Sequence, residues 1–158
     1  MADGADALTA AVDAARAGDL NRLRDLVDWP LSGAGQISQS LPGVLERDRA
    51  DVAASGLAEL DSAATDPVVV DEILRPLAER LARAQEIRPA DARASASALA
   101  ILRVPAPPAG LTDAQRERLT DLSERAAALR DVYLVVDDRG EVPLAVTADS
   151  GRLVLVLD

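Results

Sequence analysis

Apolar residues at the start of the chain recur with a helical period. Leu8, Ala11, Val12 and Ala15 fall at i, i+3, i+4 and i+7, which places them on one face. Gly18 fits a C-terminal cap and Asp19 the N-cap of a second helix. On that helix Leu20, Leu23 and Val27 continue the stripe until Pro30 ends it. The stretch DWPLSGAGQISQS, residues 28–40, then predicts a flexible connector: small and polar residues, two glycines, and Trp29 and Leu31 as apolar anchors. Residues 41–64 predict a helix with a ragged stripe of Val44, Leu45, Val52, Leu57 and Leu60, weakened near its centre by Gly56. A stronger helix start follows, with Asp66 as N-cap and Pro67 at the first helical position. Val70, Ile73, Leu74, Leu77, Leu81 and Ala84 form the cleanest amphipathic face in the chain, and Pro76 within it predicts a kink or two abutting helices. RPADARASASALAILR predicts a further helix from Pro89, rich in small residues that admit a close neighbour.

The stretch AVDAARAGDLNRLRDLV, residues 11–27, resembles the helix-turn-helix of ankyrin-type and other α-solenoid units. No repeat at ankyrin spacing and no TPLH-like turn accompanies it, so it implies a helical hairpin and nothing more. VPAPPAG, residues 104–110, predicts a semi-rigid linker. Beyond it Thr112 and Gln115 match a capping box, with Leu119, Leu122, Ala126 and Leu129 behind them. From Asp131 the period shortens: VYLVV, EVPLAVTA and RLVLVLD predict three strands separated by the turns DDRG and DSG. The first and third are apolar on both faces, so each needs cover on both sides, from the helical half or from a second protomer. Pro143 cannot donate a ladder hydrogen bond, so the middle strand must bulge, start late or lie at an edge. The expected architecture is α+β: a helical region of about five helices over residues 1–103, a Pro-rich linker at 104–110, then a helix and a three-stranded antiparallel meander over 111–158.

Composition narrows the chemistry. The 158 residues contain no His, Cys, Lys or Phe, and all 17 basic residues are Arg. That removes the usual zinc sites, thiol chemistry and His-dependent triads, together with Schiff-base and Walker A lysines. The net charge is −10, and residues 1–66 carry 12 acids against 5 Arg. Such acidity argues against nucleic-acid and anionic-membrane partners, whose affinity rests on phosphate attraction. Two aromatic residues, Trp29 and Tyr133, are too few for a base-stacking platform. No apolar run approaches the ~18 residues of a membrane span, and the N-terminus lacks the basic and apolar regions of a signal peptide, so a cytoplasmic protein is expected.

Five features carry candidate chemistry. The GAG of residues 33–35 lacks the preceding strand and the Lys of a phosphate loop, which favours a connector. Trp29 suits a cap on the core, a partner contact or the lining of a ligand pocket, with Leu31 and Ile37 beside it in the same polar stretch. Asp137, Asp138, Glu141 and Asp149 cluster at turns, where Asp serves backbone geometry more often than cations. Glu72, Glu79 and Glu86, with Arg75 and Arg83, have the spacing of solvated helix pairs. The final strand could be an edge open to strand addition, which nominates Leu153, Leu155 and Leu157 alongside Trp29, Leu31 and Ile37 as partner-binding residues.

With no catalytic, metal or cofactor residues assigned, the expected function is a non-catalytic protein-binding module: an accessory subunit, an adaptor or an acidic inhibitor. Its partner would be a protein, a basic one included, or a second copy joined through the C-terminal sheet. The alternatives are a small enzyme using carboxylate and Arg acid–base chemistry in a helical pocket, and a structural subunit of a homo-oligomer. Two or more inward-facing carboxylates or Arg in the largest pocket would favour the enzyme.

Overall fold

The computed structural model describes residues 4–104, 106–147 and 151–156. Seven helices and four strands follow in the order α1 (Gly4–Arg16), α2 (Leu20–Asp25), α3 (Trp29–Ser40), α4 (Arg49–Thr65), α5 (Pro67–Ala82), β1 (Glu86–Pro89), α6 (Ala92–Ile101), α7 (Asp113–Ala127), β2 (Asp131–Asp137), β3 (Gly140–Val146) and β4 (Leu153–Leu155). One 3-10 turn, Glu46–Asp48, leads into α4. The class is α+β, a helical body followed by an antiparallel sheet.

Several boundaries sit where local chemistry puts them. Gly18 takes a positive φ of 70°, and Asp19 caps α2 by accepting the Arg22 N–H at 3.1 Å. Asp66 caps α5, and the Thr112–Gln115 box closes in both directions at 3.0 and 3.2 Å. The β2–β3 hairpin turns through Asp138 and Arg139, with Gly140 at φ 128°.

Four expectations need correction. The segment expected to be a flexible connector is the helix α3, capped by the Asp28 carboxylate on the Leu31 N–H at 3.1 Å. Pro30 therefore lies in the first turn of a helix instead of ending one; its missing N–H has no intrahelical partner to lose there. The helix expected over 41–64 begins only at Arg49, and of the two expectations at Pro76 the single helix α5 excludes the abutting pair. Pro89 does not start α6: Asp91 caps that helix, and Pro89 ends β1, a strand that joins the expected meander as a fourth member.

The sheet order is β1-β2-β3-β4, all antiparallel. Its side chains alternate between two layers of core. Val135, Leu144, Val146, Leu153 and Leu155 pack with Leu8, Leu23, Leu74 and Leu81 of α1, α2 and α5. Val132, Ala145 and Val154 pack on the other face with Leu31, Ala98, Leu102 and Leu129. Helices of the same chain thus supply both covers that the doubly apolar strands require. Pro143 sits opposite Leu134 in β2, just past the last β3–β4 pair, Leu144 with Leu155. Its missing donor therefore falls at the unpaired end of β3, as an edge position permits.

A third core layer ties α7 to the rest. Val104 and Leu111, at the two ends of the Pro-rich segment, are buried with Ala34 and Ile37 of α3, Ala53 and Leu57 of α4, and Leu119 and Leu122 of α7. Ser123 donates from Oγ to the Val104 carbonyl at 3.1 Å, and Arg118 reaches Asp61 of α4 at 3.0 Å.

Candidate functional site

The GAG of residues 33–35 serves helix packing. A Cβ on Gly33 would collide with Cδ2 of Leu60 on α4, and one on Gly35 with the carbonyl oxygen of Ile101 on α6. Across the same seam, a Cβ on Gly56 would lie 2.8 Å from Cγ1 of Ile37. Gly35 lets α3 approach the α6 backbone more closely than a side chain would allow, while Gly33 and Gly56 meet only side-chain atoms across the α3–α4 seam.

The residues nominated as partner contacts separate into two groups. Leu31 and Ile37 are buried, and so are Leu153 and Leu155. They offer no free apolar surface; Leu157 lies outside the described residues. Trp29 is half-buried, packs against the main core, and donates from Nε1 to the Arg24 carbonyl at 3.1 Å. Of the described five, Trp29 and Ile37 line an open concavity, Ile37 with only 4% of its surface exposed.

The outer edge of β4 is also occupied. Leu153 donates to the Leu26 carbonyl at 2.8 Å and accepts the Asp28 N–H at 2.8 Å, a parallel bridge with Val27. Leu155 donates to Oγ of Ser32 at 2.9 Å, and that hydroxyl donates on to the Asp28 carbonyl at 2.7 Å. The α2–α3 junction therefore takes the place a neighbouring strand would need. At the opposite edge, β1 is four residues long and carries Glu86, Arg88 and Pro89, features that discourage edge pairing.

Of the four ion pairs that link distant parts of the described chain, two hold a buried carboxylate, and neither of these shows at local spacing. Asp28 pairs with Arg125 of α7, tying the α3 N-terminus to the last helix. Arg80 of α5 forms two 2.9 Å bonds with Asp137, whose side chain is 1% exposed. Those bonds hold the Asp137 carboxyl down from 3.8 to about 2; burial pushes the other way, and the N–H groups of Arg139 and Gly140 add to the lowering. Asp137 thus serves turn and ion-pair geometry, and Glu141 pairs with Arg88 across the sheet; Asp149 lies outside the described residues. The spaced acids of α5 behave differently from the expected pattern: no ion pair joins Glu72 to Arg75 or Glu79 to Arg83 among the described residues, and Glu86 faces Arg88 instead.

A lowered folded-state pKa means that Asp137 contributes stability fully above its unfolded value near 4 and loses it as pH falls towards 2. The thermal midpoint should therefore drop between about pH 4 and pH 2, and Asp137→Asn should flatten part of that drop. Melting curves across that window check it; parallel pH profiles for the two proteins would remove Asp137 as a contributor.

A groove of about 830 Å³ runs over the α3–α4 seam. Gly33, Gln36 and Ser40 line one wall, and Asp51, Val52, Ser55, Glu59 and Leu60 the other. Trp29, Ile73 and Val156 close one end. A smaller recess of about 310 Å³ lies on the far side of Trp29, lined also by Arg24, Asp25, Val27, Ala64 and Arg152. No helix among the described residues is long and apolar enough to cross a membrane. Comparison with protein-family models, curated proteins and solved structures finds no match.

Proposed function

We propose that the protein is a non-catalytic protein-binding module that receives a basic, apolar segment of a partner protein in the α3–α4 groove. The observation that carries this reading is the groove's lining: Trp29, Val52, Leu60, Ile73 and Val156 provide apolar surface, and its charged residues, Asp51 and Glu59, are both acids. Trp is among the residue types enriched at binding hot spots, and acidic walls favour a basic segment by charge complementarity. A chain of net charge −10 steers such a partner from a distance.

Two or more inward-facing carboxylates or Arg in the groove would favour the enzyme alternative. Asp51 and Glu59 line the groove but are exposed, and eight residues of helix separate them by about 12 Å along the axis. The homo-oligomer alternative needed an open sheet face or edge, and the faces and the β4 edge are covered by the chain's own helices and by the α2–α3 junction.

A random twelve-residue peptide library selected against the purified chain tests the proposal. Selected peptides should be rich in Arg, Lys and large apolar residues, should shift the emission of Trp29, and should weaken at high salt. Ser55→Arg and Glu59→Arg place cations on exposed positions of the groove wall and should each reduce binding without altering the melt. Peptides that bind both variants as well as wild type, or a selection that enriches none, would overturn the reading.

A further inference from the structure

The smaller recess differs from the groove in charge, although the two meet at Trp29 and Ala64. Among the described residues, the groove side carries two acids, Asp51 and Glu59, and the recess two arginines, Arg24 and Arg152, against one acid, Asp25. Both Arg backbones are held in place. The Arg24 carbonyl accepts the Trp29 indole N–H at 3.1 Å. Arg152 donates to Thr147 Oγ1 at 3.0 Å and accepts the Thr147 N–H at 2.9 Å. Their charges are little used within the chain: Arg24 meets its exposed neighbour Asp25 at 3.8 Å, a pair of small worth, and Arg152 makes no ion pair among the described residues.

From these observations we infer that the binding face is polarised, and that the partner segment carries an acidic side chain that enters between Arg24 and Arg152 while its basic residues lie over Asp51 and Glu59. The inference rests on the groove reading and adds the direction in which a segment lies. Asp51, Ser55, Glu59 and Ala63 recur every four residues along one side of α4, spanning about 18 Å. That length accommodates about five or six extended residues, or about twelve helical ones, so one short segment can reach from the acids past Trp29 to the guanidiniums. Trp29 then lies beneath the apolar middle of the segment. Arg suits the far end because its planar fork can hold a carboxylate with two hydrogen bonds.

Two amidated twelve-residue peptides test this, alike with Arg at one end and Leu in the centre, and differing only in a Glu or a Gln at the other end. Titrations by calorimetry and Trp29 emission are run on wild type and on an Arg24→Gln, Arg152→Gln double variant. The Glu peptide should bind wild type about threefold to tenfold more tightly, the range for one or two partly exposed ion pairs, and the double variant should bind both peptides alike. The general field of an acidic protein works against the Glu peptide, so an advantage for it locates the effect at the recess. Equal affinity of wild type for the two peptides overturns the polarity and leaves the groove reading intact. Failure of both peptides to bind overturns the groove reading and this inference together.

Discussion

Asp28→Ala should destabilise the protein by about 2–4 kcal/mol. Two separate roles add up to that figure. One carboxylate oxygen caps α3 on the Leu31 N–H, and loss of such a cap costs about 1 kcal/mol. The other pairs with Arg125, where Asp28 is 6% exposed and Arg125 33%. Breaking a fully buried pair costs about 3–5 kcal/mol and an exposed one less than about 1, so a half-sheltered pair falls between them. The Asp28 backbone bonds to Leu153 and Ser32 survive the substitution, which keeps the fold recognisable. Asp28→Asn retains a capping oxygen and removes the charge, so it should lose about half as much. Denaturant midpoints of the three proteins check the ordering; Asn as damaging as Ala would assign the whole effect to the ion pair.

The second large effect contrasts two glycines of one helix. Gly35→Ala should cost about 1–3 kcal/mol, because its methyl group meets the Ile101 carbonyl and lies 3.3 Å from the Leu102 Cα, backbone atoms that cannot turn aside. Gly33→Ala meets only the end of the Leu60 side chain, which can rotate. The gain of about 1 kcal/mol from replacing a helical Gly by Ala then offsets the crowding, and Gly33→Ala should be close to neutral. Chemical denaturation of both variants tests the pair. Equal losses would mean that α3 packs against α6 no more tightly than against α4.

The same glycines explain what could and could not be read from the sequence. Two Gly in three residues lower helix propensity by about 2 kcal/mol, so DWPLSGAGQISQS reads locally as a connector. Packing against Leu60 and Ile101 reverses that preference, and neither partner is near in sequence. The capping signal was nevertheless present: Asp28 and Pro30 begin α3 with the same chemistry by which Asp66 and Pro67 begin α5. Gly18–Asp19, the Thr112–Gln115 box and the DDRG turn were legible because their partners lie within a few residues. β1 was hidden for the opposite reason: its four residues include Glu86, Arg88 and Pro89, and its strand character comes from pairing with β2.

For the candidate site, Trp29 could be singled out by residue type alone, and it does reach the groove. The apolar residues nominated with it could not be sorted, since an apolar strand suits a core and an interface equally. The Arg24–Arg152 recess arises only when segments more than a hundred residues apart are brought together. The long-range pairs Arg80–Asp137 and Arg125–Asp28 carry no signal at i+3 or i+4 spacing.

The α2–α3 junction closes the β4 edge of the sheet, which under the proposed function leaves the groove for a partner. Amide hydrogen exchange of the isolated monomer tests it most directly, read at Leu153 and Leu155, whose N–H groups face away from β3. Bonds to the Leu26 carbonyl and to Ser32 Oγ should make both exchange as slowly as the central strands, and Ser32→Ala should speed exchange at Leu155 while sparing Leu153. Rapid exchange at both positions in the wild-type monomer would show an open edge, contradict the account, and return strand addition at β4 as the mode of binding.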